Sequence, residues 1–163
     1  MGLRVGTHVP SLEFEAYVPP EAEPWCTSLA ELRGSWVVLV FYPRKAVSEL
    51  SLLARLYPQL ESENTIVLAA SPDSLEASTD TNSLAGVFYP VIADTAHELG
   101  EAFGVLAGDG ALRHGTFVID PESVVRYVAV TDQDCGHGLD EALRVLQALR
   151  AARSAAPSGS RPA

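Results

Sequence analysis

Four residues of this chain are of types that move protons or attack electrophiles: Glu49, His114, Cys135 and His137. Imidazole titrates near neutral pH and is the usual general acid or base. A His pair with a carboxylate can shuttle protons on a bound organic substrate. Cys135 lies just before a helical pattern, and a helix N-terminus favours the thiolate over the thiol. Each residue also has a plainer reading. A buried His often packs or hydrogen-bonds without reacting, and a lone buried thiol is commonly inert. The same four side chains are chemically able to ligate a metal, but no compact ligand spacing links them, so neither metal nor cofactor is expected. His8 and His97 belong to no motif and are expected on the surface, and Cys26 is expected to be structural.

The elements that would carry these residues alternate between strand and helix signals. Leu12 to Val18 reads as a first strand, with Pro19, Pro20 and Pro24 marking a loop after it. Trp36 to Tyr42 is an uninterrupted apolar run, as in a central strand buried on both faces. Val47 to Leu60 places Leu50, Leu53, Ala54 and Tyr57 on one helical face, with Ser48 as a cap and Glu49 in the first turn. Thr65 to Ala70 predicts a second buried strand, and Pro72 to Leu84 a helix. Tyr89 to Ala93 predicts a short strand, and Thr95 to Phe103 a helix capped by Asp94 or Thr95. Thr116–Ile119 and Val124–Val130 read as a hairpin around Asp120-Pro121-Glu122-Ser123. Leu139 to Arg153 is a closing helix. The order implies an α/β sandwich, a thioredoxin-like arrangement with a central mixed sheet flanked by helices.

Composition narrows the function classes. At 163 residues the chain is expected to be one domain over residues 1–153, followed by a disordered tail over 154–163. Its formal charge is -10, from 21 acidic and 11 basic residues, and no Lys/Arg cluster offers a face for nucleic acid. No apolar run approaches membrane-spanning length, and the N-terminus lacks a signal-peptide core. Two cysteines without a Cys-x-x-Cys fit a reducing compartment, so a cytoplasmic protein is expected.

Several segments resemble the peroxiredoxins of the alkyl hydroperoxide reductase and thiol-specific antioxidant group. Phe41-Tyr42-Pro43 resembles the family's active-site entry, Phe-Tyr-Pro-x-x-x-Thr-x-x-Cys-x-x-Glu. Val5-Gly6-Thr7-His8-Val9-Pro10 resembles the family opening Val-Gly-x-x-Ala-Pro. Leu29 to Val38, Ala70 to Ser74, Tyr89 to Asp94, Gly115 to Pro121 and Gly136 to Arg144 resemble further family segments in the same order. The resemblance implies the peroxiredoxin type of thioredoxin-like fold and a homodimer. It also implies a chemistry: a Cys thiolate attacks the peroxide, a Thr orients it, an Arg stabilises the thiolate and the developing charge, and a Pro shields the pocket.

Of those groups only Pro43 is present. The family pattern has nine residues between its Pro and Glu; this chain has five, Arg44 to Ser48, with no Cys or Thr among them. Anchoring on Glu49 puts Ala46 at the Cys position. The family Arg immediately before Gly-x-Phe is His114 here, and the second family Arg is His137. Arg113 is one residue out of register, and a one-residue step along a strand turns a side chain to the other face. The resemblance therefore implies a pocket at the family active-site positions Tyr42, Pro43, Ala46 and Arg113, with Glu49, His114, His137 and Cys135 as the candidate catalytic residues. The leading expectation is a family member that has lost hydroperoxide reduction and binds a small molecule or a partner there. The alternatives are acid/base chemistry by His114 and His137 on an organic metabolite, and a thiol peroxidase with its sulfur moved to Cys135.

Overall fold

The structure is a computed structural model that describes residues 3–20, 23–43, 47–61, 64–74, 77–131 and 137–155. The strands are β1 (Glu13–Tyr17), β2 (Trp25–Ser28), β3 (Trp36–Phe41), β4 (Thr65–Ser71), β5 (Val91–Ala93), β6 (His114–Ile119) and β7 (Val125–Thr131). The helices are α1 (Val47–Leu60), α2 (Thr79–Ala85), α3 (Glu98–Ala102) and α4 (His137–Ala155). The strands form one mixed sheet in the order β2-β1-β5-β4-β3-β6-β7. β3, β4 and β5 run parallel, joined by crossovers through α1 and α2, while β1, β2, β6 and β7 pair antiparallel. This is the thioredoxin-like α/β arrangement expected from the sequence, a central mixed sheet flanked by helices. Among the described residues no helix is long and apolar enough to cross a membrane.

β3 is central because every residue from Trp36 to Phe41 is apolar and buried, so it can be covered on both faces. Alternation then sorts the side chains. Val38, Val40 and Tyr42 join Val67, Ala69, Val91 and Val118 under α1, α2 and α4. Val37, Leu39 and Phe41 join Leu68, Ala70, Ile92 and Phe117 on the other face, with Leu99, Phe103 and Val105. On that second face Phe41, Phe103 and Phe117 contact one another with centroids 4.9–5.7 Å apart.

Several sequence expectations shift, each for a local reason. The helix expected from Pro72 begins only at Thr79. The Ser71 hydroxyl accepts the Asp73 N–H at 3.1 Å and the Ser74 hydroxyl accepts the Ala77 N–H at 3.2 Å, side-chain bonds that compete with a helix start. The strand expected from Tyr89 is only Val91–Ala93, because Pro90 has no N–H to give; its carbonyl still accepts from Ala69 at 3.1 Å. The helix expected over Thr95–Phe103 is only Glu98–Ala102. His97 ahead of it is half-buried with φ at 60°, and is not the plain surface residue expected. Asp94 still serves that helix: its carboxylate accepts from the N–H groups of Leu99 and Gly100 at 3.1 and 2.9 Å. Ser48 lies inside the first turn of α1, which starts at Val47, and so does not cap it. β2 has no counterpart in the sequence reading; it pairs with β1 at the sheet edge and leaves Cys26 exposed, so Cys26 is not a buried structural thiol.

Candidate functional site

Tyr42, Pro43, Glu49 and His114 gather where β3 ends. Phe41 pairs with Gly115 at the last rung of the β3–β6 ladder. One residue further along each strand, Tyr42 and His114 face each other, with ring centroids 5.8 Å apart and planes at 87°. The Tyr42 N–H donates to the Ala70 carbonyl at 3.0 Å, which keeps the residue tied to the sheet edge beyond the strand proper. The chain then leaves through Pro43 and returns as α1, whose first turn carries Glu49. A carboxylate is favoured there by the unpaired N–H groups of the helix start.

Glu49 reaches back to the sheet. Its Oε2 lies 3.3 Å from His114 Nε2, and the two side chains are only 13% and 14% exposed. That is ion-pair range and slightly longer than the usual N–H···O distance. A carboxylate against one imidazole nitrogen fixes the ring's orientation and favours a proton on that nitrogen. Such a pair can hold a polar ligand or act as a proton donor and acceptor.

Two buried tyrosines set the height of α1 above the sheet. The Tyr42 hydroxyl donates to the Glu49 carbonyl at 3.3 Å, and the Tyr89 hydroxyl donates to the next carbonyl, Leu50, at 2.8 Å. Burial pushes the Tyr89 hydroxyl well above the ordinary tyrosine range, so it remains a neutral donor. Sequence reasoning placed Tyr42 at the site and missed Tyr89. The available signal was a phenol inside an apolar segment, since a buried Tyr hydroxyl usually finds a partner.

Gly115 is the other positioning residue. A Cβ there would come within 2.5 Å of Val105 Cγ1 and 3.2 Å of Phe117 Cε1. The absent side chain lets the 105 segment close over β6 immediately beside His114.

The remaining candidates are Arg113, His137, Ala46 and Cys135. Arg113 precedes His114 at the start of β6: its backbone N–H donates to the Val105 carbonyl at 2.8 Å, and it lines a surface groove of about 340 Å³ with Ala107, Asp109 and Leu112. His137 is the first residue of α4. Its side chain, together with Ala46 and Cys135, lies outside the described residues. Among the described residues no group of three His, Cys, Asp or Glu side chains could hold a metal. A small chamber of about 10 Å³ lies behind Tyr42 and Pro43, against β4 and α2.

Comparison with known proteins identifies the scaffold. The family described as AhpC/TSA matches residues 5–128. This chain belongs to that family, the peroxiredoxins. Peroxiredoxin prdx-2 of Caenorhabditis elegans is 31% identical over 153 residues, covering 86% of this chain and 76% of that protein. The solved structure of Mycobacterium tuberculosis AhpC superimposes with a TM-score of 0.78 at 27% identity, covering 92% of this chain and 99% of that one. Enterococcus faecalis AhpC shares the fold, with a TM-score of 0.82 at 24% identity, covering 100% of this chain and 99% of that one.

Proposed function

We propose that this peroxiredoxin-family protein has given up thiol-dependent hydroperoxide reduction and keeps the region around Tyr42, Pro43, Glu49 and His114 as a binding site for a small polar molecule or a partner. The observation that carries the reading is the pairing of a chemical loss with a structural replacement. The sequence has no sulfur or hydroxyl nucleophile from Pro43 to Val47, and the position of the family Arg holds a His in contact with Glu49. A peroxidase needs a thiolate to accept the peroxide oxygen and a cation to stabilise it. A His–Glu pair supplies neither the sulfur nor a permanent positive charge. The reading takes the chain as one thioredoxin-like domain whose closing helix runs to Ala155, two residues past the expected boundary at 153, followed by a tail, in the cytoplasm and as a homodimer.

The His114–Glu49 contact also favours a second reading, acid/base chemistry on an organic metabolite, with His137 as a further participant. The least favoured reading is peroxidase activity through Cys135, because the peroxide-orienting Thr and Arg would still be missing.

Two assays separate the three readings. Hydrogen peroxide consumption is followed with a thiol reductant for the wild type and for Cys135→Ser. Both are expected to match the uncatalysed rate. Fast turnover by the wild type that Cys135→Ser abolishes would overturn the reading and restore a thiol peroxidase. Ligand screening by thermal shift then separates binding from catalysis, since a bound metabolite left unchanged supports the first reading and one consumed in a His114-dependent manner supports the second.

A further inference from the structure

We infer that the chamber behind Tyr42 and Pro43 is a hydration site holding one water molecule on the hydroxyl of Ser78. Ser78 is only 4% exposed, and its Oγ is fully buried with no hydrogen-bond partner among the described residues. A buried hydroxyl without a partner loses the hydrogen bonds that it made in water, and native interiors rarely leave one so.

The chamber meets the requirements for an ordered water rather than for a dry void. Its volume of about 10 Å³ is room for one water-sized centre. Ser71, Asp73, Ser78 and Thr81 line it opposite Tyr42, so several polar groups surround the guest. Asn82 also lines it and is held by a bond of 3.0 Å from its Nδ2 to the Tyr17 hydroxyl. Asp73 is buried as well, so a carboxylate-bearing residue is among those that line the chamber. A neutral molecule with two donors and two acceptors satisfies both Ser78 and its neighbours. An anion is disfavoured by the carboxylate, an apolar atom wastes the polar lining, and anything larger than one heavy atom does not fit. Because Tyr42 walls this chamber and also holds the first turn of α1, the water backs the same residue that faces His114.

The test is a crystal structure of the full chain at a resolution that shows ordered solvent, with Ser78→Ala alongside. A peak at about 2.7–3.0 Å from Ser78 Oγ is expected. Ser78→Ala is expected to lose that peak and to lower the thermal midpoint by about 2–4 °C. An empty chamber in the wild type would overturn the inference, as would a Ser78→Ala midpoint that is unchanged or raised, since removing an orphan hydroxyl costs nothing. Ammonium chloride set against sodium chloride at equal ionic strength is expected to leave the midpoint unmoved; a rise specific to ammonium would replace water by a cation. If Ser78→Ala fails to fold, the wild-type peak alone decides.

Discussion

Gly115→Ala tests how the scaffold presents His114. The added Cβ would sit 2.5 Å from Val105 Cγ1 and 3.2 Å from Phe117 Cε1, where carbon atoms normally keep about 3.5–4.0 Å. Val105 and Phe117 are both fully buried, so neither can swing into solvent to make room. The backbone at Gly115 is not in the left-handed region, so the cost is one of packing and not of φ. Overpacking of this kind costs about 1–3 kcal/mol, which for a domain of this size is a fall in thermal midpoint of roughly 2–12 °C. The cause is checked with Val105→Ala, which removes the colliding methyl groups at the expense of a cavity. The double variant should lose less than the sum of the two single variants, with a coupling of about 1 kcal/mol or more, measured by urea unfolding of all four proteins. A Gly115→Ala protein as stable as wild type, or strictly additive losses, would refute the idea that this glycine exists to let the 105 segment close on β6.

Other expectations follow from the same contacts. Asp94→Ala removes the acceptor of two buried N–H groups, those of Leu99 and Gly100, and should cost about 2 kcal/mol, seen as an earlier urea midpoint; an unchanged midpoint would show that solvent replaces the carboxylate. A double-mutant cycle on Glu49→Gln and His114→Gln should give a coupling of about 1–3 kcal/mol, between the values for exposed and fully buried pairs; zero coupling would mean that the contact is incidental. The Tyr57 hydroxyl is held above its ordinary range by burial, and further by the charge of Glu61 and a hydrogen bond to it. The folded state therefore keeps this proton longer than the unfolded chain does. Its contribution is complete below the ordinary tyrosine value of about 10 and fades as pH rises through the folded value. The phenolate absorbance difference between wild type and Tyr57→Phe should show a late titration that moves earlier in Glu61→Gln, and a Tyr57 titrating at the ordinary value would contradict the geometry.

The fold was readable wherever a single physical signal dominated. β3 announced itself because a run of apolar residues with no polar member has no other stable place than the middle of a sheet. α1 was readable over its full length because its apolar residues recur at helical spacing. Elements failed where local side-chain bonds competed with periodicity, as at Ser71 and Ser74 before α2, or where length was too short for any period to register, as in β2 and α3. At the site, residue types and motif order named His114 and Glu49 but not the distance between them, which depends on a helix returning over a sheet. Tyr89 and Gly115 were hidden for a related reason. Each acts on a partner far from it in sequence, Leu50 for one and Val105 for the other at closest approach, and no local pattern encodes such a contact.

The contacts also bear on how the fold would stand under the proposed loss of the family chemistry. The groups that hold the site's frame are Tyr42 and Tyr89 on the α1 carbonyls, Gly115 under Val105 and the β3–β6 ladder. None of them is a group that peroxide chemistry uses. A Cys, a Thr and an Arg serve reactivity and charge, so replacing them changes polarity at the rim without removing apolar area from either core. On the proposed reading, the one replacement that reaches inward is at the Arg position. Filling it with an uncharged aliphatic side chain would have left Glu49, at 13% exposure, without a cationic or donor partner there, and a largely buried carboxylate is costly unless it is hydrogen-bonded. A His at position 114 meets that need with a smaller side chain than Arg, which stacks edge-on to Tyr42. On this argument Glu49 is the residue that constrains position 114. His114→Leu should therefore destabilise the fold more than His114→Gln, which keeps a donor for the carboxylate. The comparison is made by urea unfolding. A Leu variant as stable as the Gln variant would mean that Glu49 is satisfied by other groups and that the histidine is held there by something other than folding.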